Sequence, residues 1–154
     1  MTRSLEEIVW AINPRHDTVD SLVAYMGKFA HEVISAAKVR CRLDLPVDLP
    51  AWPLTTQTRH NVLLAFKEAL HNAVRHSGAT EIQVTLKLLS RGFEISVEDN
   101  GNGFDAGSST LASERGVLGN GLRNMHLRLA EIGGRCEITS APGQGAFVRF
   151  TVSV

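Results

Sequence analysis

Leu22, Met26, Phe29, Ala30, Val33, Ile34 and Ala37 recur at intervals of three and four, a spacing that predicts one long amphipathic helix, N-capped by Asp17 or Thr18 and running to about Lys38. Ahead of it, Ser4-Leu5-Glu6-Glu7 has the form of a capping box, and Ile8, Val9, Trp10 and Ile12 follow before Asn13-Pro14 stops a short opening helix. Val39 to Leu45 alternates apolar and polar residues with period two and predicts a half-buried strand, and Pro46 to Pro53 is a proline-punctuated loop. From Gln57 to His76 the period is helical again, with Val62, Phe66, Ala69, Leu70 and Ala73 as the core stripe and Gly78 placed to cap the C-terminus. Glu81 to Leu89 and Phe93 to Glu98 are alternating runs joined by Ser90-Arg91-Gly92, the pattern of a hairpin. Phe104 to Leu118 holds few large apolar residues and is expected to be a mobile lid. Leu122, Met125, Leu129 and Ile132 give a last helix its inward face, Gly133-Gly134 ends it, and strands over Cys136 to Thr139 and Ala146 to Val154 flank Ala141-Pro142-Gly143-Gln144-Gly145.

Size and charge narrow the function. A chain of 154 residues fits one domain and buries roughly two thirds of its extended-chain surface without a staple. The 16 basic residues balance the 16 acidic ones, which removes the electrostatic term behind nonspecific binding to nucleic acid or to an anionic membrane. Cys41 and Cys136 are far apart and lack metal-ligand spacing, so two reduced thiols in a cytosolic setting are expected. No apolar run has the length of a membrane span, and the N-terminus lacks a signal-peptide core.

Three polar stretches interrupt this ordinary pattern. Glu68, Asn72 and His76 stand one helical turn apart and form a polar stripe roughly 80 degrees wide, which suits a hard, oxygen-seeking cation such as Mg²⁺ at Glu68 and Asn72, with Arg75 and His76 near phosphate oxygens. The same spacing is also that of a solvated helix face. Asp99 ends a strand before Asn100-Gly101-Asn102-Gly103; an ionised carboxylate only accepts hydrogen bonds and so matches the exocyclic amine of adenine, while Gly101 and Gly103 allow close approach of a flat base. A plain Asp-Asn-Gly turn has the same residues. Gly119-Asn120-Gly121 lies where the lid meets the last helix, so the N–H groups of Leu122 and Arg123 are expected to point outward at a positive helix end that favours phosphate. Asn124 breaks the dinucleotide fingerprint, and no P-loop run exists.

In this order the stretches Lys67 to Ala79, Val97 to Phe104 and Gly119 to Met125 resemble the N, G1 and G2 boxes of the GHKL ATPase superfamily. More narrowly, they resemble the ATP-binding catalytic domain of sensor histidine kinases of the nitrate-sensor and DesK-like class, over about Leu43 to Val154. The resemblance implies an α/β two-layer sandwich, the Bergerat fold, with a mixed β-sheet packed against helices and ATP·Mg²⁺ held beneath a mobile lid. It implies that Asn72 chelates the metal, that Glu68 orients its water or assists proton transfer, and that Asp99 reads adenine between Gly101 and Gly103. Gly119 and Gly121 hinge the lid around the phosphates, beside Leu122. Residues 1–38 are then the end of a dimerisation hairpin, a helical linker and the first catalytic helix, and residues 39–154 the ATP-binding catalytic domain.

Two departures stand out. Gly145 is followed by Ala146 where the family often has threonine, which removes a hydroxyl near the base, and no phosphoacceptor motif precedes Ser4. His31-Glu32 has the histidine-acid form of a phosphoacceptor, but it lies after the linker-like segment, and His31, His71 and His126 read as ordinary helix positions. The implied reaction transfers the γ-phosphoryl of ATP to a histidine elsewhere, with the phosphoacceptor hairpin and a response regulator as partners, in the cytoplasm, and with the fragment alone a monomer. A GHKL hydrolase or anti-sigma-type serine kinase, and a nucleotide-gated interaction module, are the alternatives.

Overall fold

A computed structural model describes residues 18–75, 78–103 and 117–154. The expected opening helix and most of the expected lid fall outside these residues. The helices are α1 (Val19–Ala36), α2 (Thr56–Arg75) and α3 (Val117–Glu131), and the strands are β1 (Arg40–Asp44), β2 (Glu81–Leu89), β3 (Gly92–Asp99), β4 (Arg135–Ser140) and β5 (Ala146–Ser153). The sheet runs β1-β2-β3-β5-β4; β1 is parallel to β2 and every other pair is antiparallel. The parallel step follows from α2, which carries the chain from β1 back to the start of β2, the crossover that a parallel pair requires.

Register explains the two layers. Val84, Val97, Val148 and Ile138 form one transverse row, and Leu86, Ile95, Phe150 and Cys136 form the next. These rows face the helices, and Ile95 and Phe150 are wholly buried against them. The α2 stripe expected from the sequence, Val62, Phe66, Ala69, Leu70 and Ala73, is buried between the sheet and the neighbouring helices. Each large apolar side chain in this layer contributes about 1.5–3 kcal/mol by leaving water. The reverse face carries Gln83, Thr85, Glu94, Ser96 and Arg149, so the described residues form a two-layer sandwich.

Details differ from expectation for local reasons. Thr18 is the N-cap of α1, but its side chain makes no cap bond; the Val19 N–H donates to the Trp52 carbonyl at 2.9 Å instead, tying the loop before α2 to the start of α1. The first strand is an edge strand, less covered than expected. Cys41 is half-buried, Leu43 is 40% exposed, and Arg40 and Arg42 reach Glu81 on the open face, each at 3.6 Å. Gly92 belongs to β3 rather than to the hairpin loop, because a Cβ there would meet the Val152 carbonyl oxygen at 2.1 Å. That glycine serves the neighbouring strand and not the turn.

Candidate functional site

The row that follows Val84-Val97-Val148 is Cys41, Ile82, Asp99, Ala146 and Ser140. Asp99 therefore occupies the position where the alternation Phe93, Ile95, Val97 calls for another apolar residue, and its carboxylate is buried on the helix-facing side of the sheet. Its Oδ1 accepts the Gly101 N–H at 2.9 Å. Burial pushes the carboxyl above the usual aspartate range; N–H donation from Gly101 and Ala146 counters this in part, and neighbouring Glu98 adds to the rise. A buried carboxylate in this condition gains from any further donor that reaches it.

Backbone contacts fix the turn after Asp99. Asn100 Oδ1 accepts the N–H groups of Thr80 and Glu81 at 2.9 and 3.0 Å, and its Nδ2 donates to Thr80 Oγ1 at 3.0 Å, so the turn is pinned to the entry of β2. Gly103 has φ 67° and faces the Ala141 and Gly145 carbonyls so closely that a Cβ would lie 2.2 and 2.7 Å from their oxygens. Gly145, with φ 74°, leans on the Asp99 carbonyl, and the Ser140 hydroxyl donates to the Gly145 carbonyl at 2.7 Å. The 141–145 loop is thus one wall of the turn that carries Asp99, a role absent from the sequence reading, although Pro-Gly-x-Gly signalled an unusual backbone. Ala146 pairs directly with Asp99, so the missing hydroxyl would have stood beside the carboxylate.

The three polar stretches meet around the C-terminal half of α2. Glu68 is half-buried, and a Cβ on Gly121 would come within 2.9 Å of its Cδ, so α3 approaches the carboxylate through a glycine. Asn102 packs over Gly78, just beyond the end of α2. Asn72 is half-buried, and its Nδ2 is enclosed without a hydrogen-bond partner among the described residues. Arg75 is exposed in the last turn, and His76 lies outside the described residues.

One expectation is corrected. Helix α3 begins at Val117, so Gly119 and Gly121 lie inside it, and the free N–H groups of its first turn belong to residues 117–120 rather than to Leu122 and Arg123. The Leu122 side chain is buried in the core. Asn61 locks this helix to α2 by donating from Nδ2 to the Arg128 carbonyl at 2.9 Å, which keeps Gly121 against Glu68.

Comparison with known proteins agrees with this geometry. The family model for histidine kinase-, DNA gyrase B- and HSP90-like ATPases matches residues 58–154. The sensor histidine kinase LiaS of Bacillus subtilis is 27% identical over 123 residues, which cover 80% of this chain and 32% of that protein. The sensor histidine kinase MctS of Rhizobium johnstonii is 31% identical over 104 residues, covering 66% of this chain and 22% of that protein. This chain thus spans about a third or less of the length of these relatives. Among solved structures, the histidine kinase domain of the blue-light activated histidine kinase from Erythrobacter litoralis superposes with a TM-score of 0.68 at 20% identity, over 86% of this chain and 60% of that one. The family model spans well over half of the chain, and the chain belongs to the histidine kinase-, DNA gyrase B- and HSP90-like ATPase family.

Proposed function

We propose that this chain is the catalytic segment of a sensor histidine kinase of the nitrate-sensor and DesK-like class, which moves the γ-phosphoryl of ATP·Mg²⁺ onto a histidine outside residues 1–154. The observation that carries this reading is Asp99: a buried carboxylate, raised in pKa, clamped by main-chain N–H groups on the helix-facing side of the sheet. Asp99 selects the adenine amine, Gly101 and Gly103 shape the turn beside the base, and the first turn of α3 faces the phosphates, with Gly119 and Gly121 along that helix, Leu122 in the core behind it, and Arg75 and His76 as cationic neighbours of the phosphates. Residues 1–38 serve as linker and first helix, and residues 39–154 as the ATP-binding unit. The working compartment is the cytoplasm, where ATP is abundant; no helix among the described residues is long and apolar enough to cross a membrane.

Magnesium fits the donors. The Asn72 Nδ2 has no hydrogen-bond partner among the described residues, and the carboxamide's oxygen and nitrogen exchange places by a simple flip. An amide oxygen there and the Glu68 carboxylate near it form the sparse oxygen set that Mg²⁺ takes when substrate phosphates and waters complete its shell. Bound there, the ion neutralises phosphate charge. Asn72 would hold it, and Glu68 would orient a water or accept a proton. Phosphoryl transfer depends mainly on such positioning and charge neutralisation.

The test supplies a phosphoacceptor hairpin from a kinase of this class in trans, with labelled ATP and Mg²⁺. Acid-labile, base-stable phosphate on the hairpin is the expected product. Free phosphate would instead support a hydrolase, and nucleotide binding without either product would support an interaction module. Asn72→Ala is expected to lower transfer by at least about a hundredfold while the protein stays folded, because a buried unpaired amide contributes little to stability and is needed only for the metal. Gly121→Ala is expected to separate folding from catalysis in another way: alanine in a helix interior gains roughly 0.5–1 kcal/mol over glycine, but its Cβ displaces Glu68. Unchanged melting with transfer reduced at least about tenfold is the predicted pair of readings, and full activity would refute the role given to Glu68.

A further inference from the structure

The loop after β1 returns across α1 and is anchored at two points. Leu45 fills the space left by Gly27 on α1, its Cδ1 3.0 Å from where a Cβ would stand, and at the other end Trp52 accepts the Val19 N–H while Pro53 bridges Thr18. Between these anchors the loop bows outward, and a groove of about 530 Å³ opens between it and α1. Val23, Gly27, Leu45 and Leu49 give the groove an apolar lining, with Asp20, Asp48 and Lys28 among them. Val47, also in the lining, is 97% exposed. The trough and the exposed valine at its rim together offer a surface on which an apolar segment can seat.

We propose that the occupant is this chain's own lead segment, residues 5–12, seated along α1 with Trp10 against Val47. Three arguments favour it over a foreign partner. The first is connection: the chain enters α1 at Thr18, at the Asp20 end of the groove. The second is reach. Trp10 lies eight residues upstream of Thr18, a tether of up to about 27 Å when extended, whereas α1 covers Asp20 to Lys28 in about 12 Å. Asn13-Pro14 supplies the reversal of direction. The third is composition: Leu5, Ile8, Val9, Trp10 and Ile12 match the apolar lining. A tether this short holds the segment at an effective concentration near the millimolar range, so weak contacts suffice. The groove then sets the angle at which the preceding chain enters the ATP-binding unit.

Disulfide trapping in the full chain tests the proposal. Cys41→Ala removes the half-buried thiol, while Cys136 can stay, because burial pushes its thiol up to about 12 and leaves it unreactive. In that background Trp10→Cys with Val47→Cys should form an intramolecular bridge at least about tenfold faster than Trp10→Cys with Leu127→Cys, whose second site is exposed on α3. Equal rates for the two pairs would overturn the proposal. So would bridges that form mainly between molecules and accelerate with protein concentration, since a second copy would then be the occupant. Independently, with all cysteines native, Val47→Asp should speed hydrogen exchange at the Trp10 indole N–H at least about fivefold. An indole that already exchanges like free tryptophan in the unsubstituted chain would likewise refute it.

Discussion

Asp99→Asn is expected to remove at least half of the rise in melting temperature that adenine nucleotides produce, while the nucleotide-free protein melts at the same temperature or higher. The two halves have one cause. Burial disfavours the ionised carboxyl, so its folded pKa lies above its unfolded value. For such an acid the favourable contribution to stability is present below the unfolded pKa and is lost as pH rises through the folded one, so at neutral pH the charge opposes folding. An amide removes that opposition, and its oxygen can still accept one N–H. Its own NH₂, however, confronts the adenine amine donor to donor, a mismatch of about 1–3 kcal/mol, or roughly tenfold to a hundredfold in affinity. Saturating nucleotide at a hundred times Kd contributes about 2.7 kcal/mol to the native state, and at the same concentration only about 0.4–1.4 kcal/mol should remain in the variant. By the same sign, affinity for ATP should fall on acidification at a higher pH than an ordinary aspartate would give. Scanning fluorimetry with ATP, ADP and GTP checks each point, and an undiminished ATP response in the variant would remove Asp99 from the base site.

Gly145→Ala should produce a large loss of stability. Gly145 holds φ 74°, and a Cβ would lie 2.3 Å from the Asp99 carbonyl oxygen, a backbone atom that cannot swing aside. The left-handed conformation costs a non-glycine residue roughly 1–2 kcal/mol, and relieving the overlap must disturb the β3–β5 pairing at Asp99 and Ala146. A total of about 3 kcal/mol or more corresponds to a fall of roughly 6–12 °C for a domain of this size. Gly143 provides the control. It has φ 78° in the same loop, but nothing lies within 4 Å of a Cβ there, so Gly143→Ala should cost only the conformational part. Equal melting shifts for the two variants would show that contact with Asp99 is unimportant. Nucleotide binding should be lost in the Gly145 variant and retained in the Gly143 variant.

The sequence carried the helices and the central hairpin because their periodicities are local, and the same alternation that revealed β3 placed Asp99 out of character in an apolar phase. Other features depended on neighbours that no local pattern reports. Gly119 and Gly121 read as the junction of the lid and the start of α3, yet Gly121 lies within the helix, where α3 passes close to Glu68. Gly92 resembled a turn residue, but it answers to Val152 on a strand some sixty residues away. The alternation of β1 was legible, while its place at the sheet edge, and so its exposure, was not. The clamp of Asn100 on Thr80 and Glu81 joins residues about twenty positions apart and shows only in three dimensions.

The wall beside Asp99 is assembled from peptide carbonyls, with Gly103 against Ala141 and Gly145, and Gly145 against Asp99 itself. Attempts to re-engineer the base preference should therefore leave these glycines untouched and diversify Ala146 and Asp99, the paired positions whose side chains can change chemistry without forcing main chain into main chain.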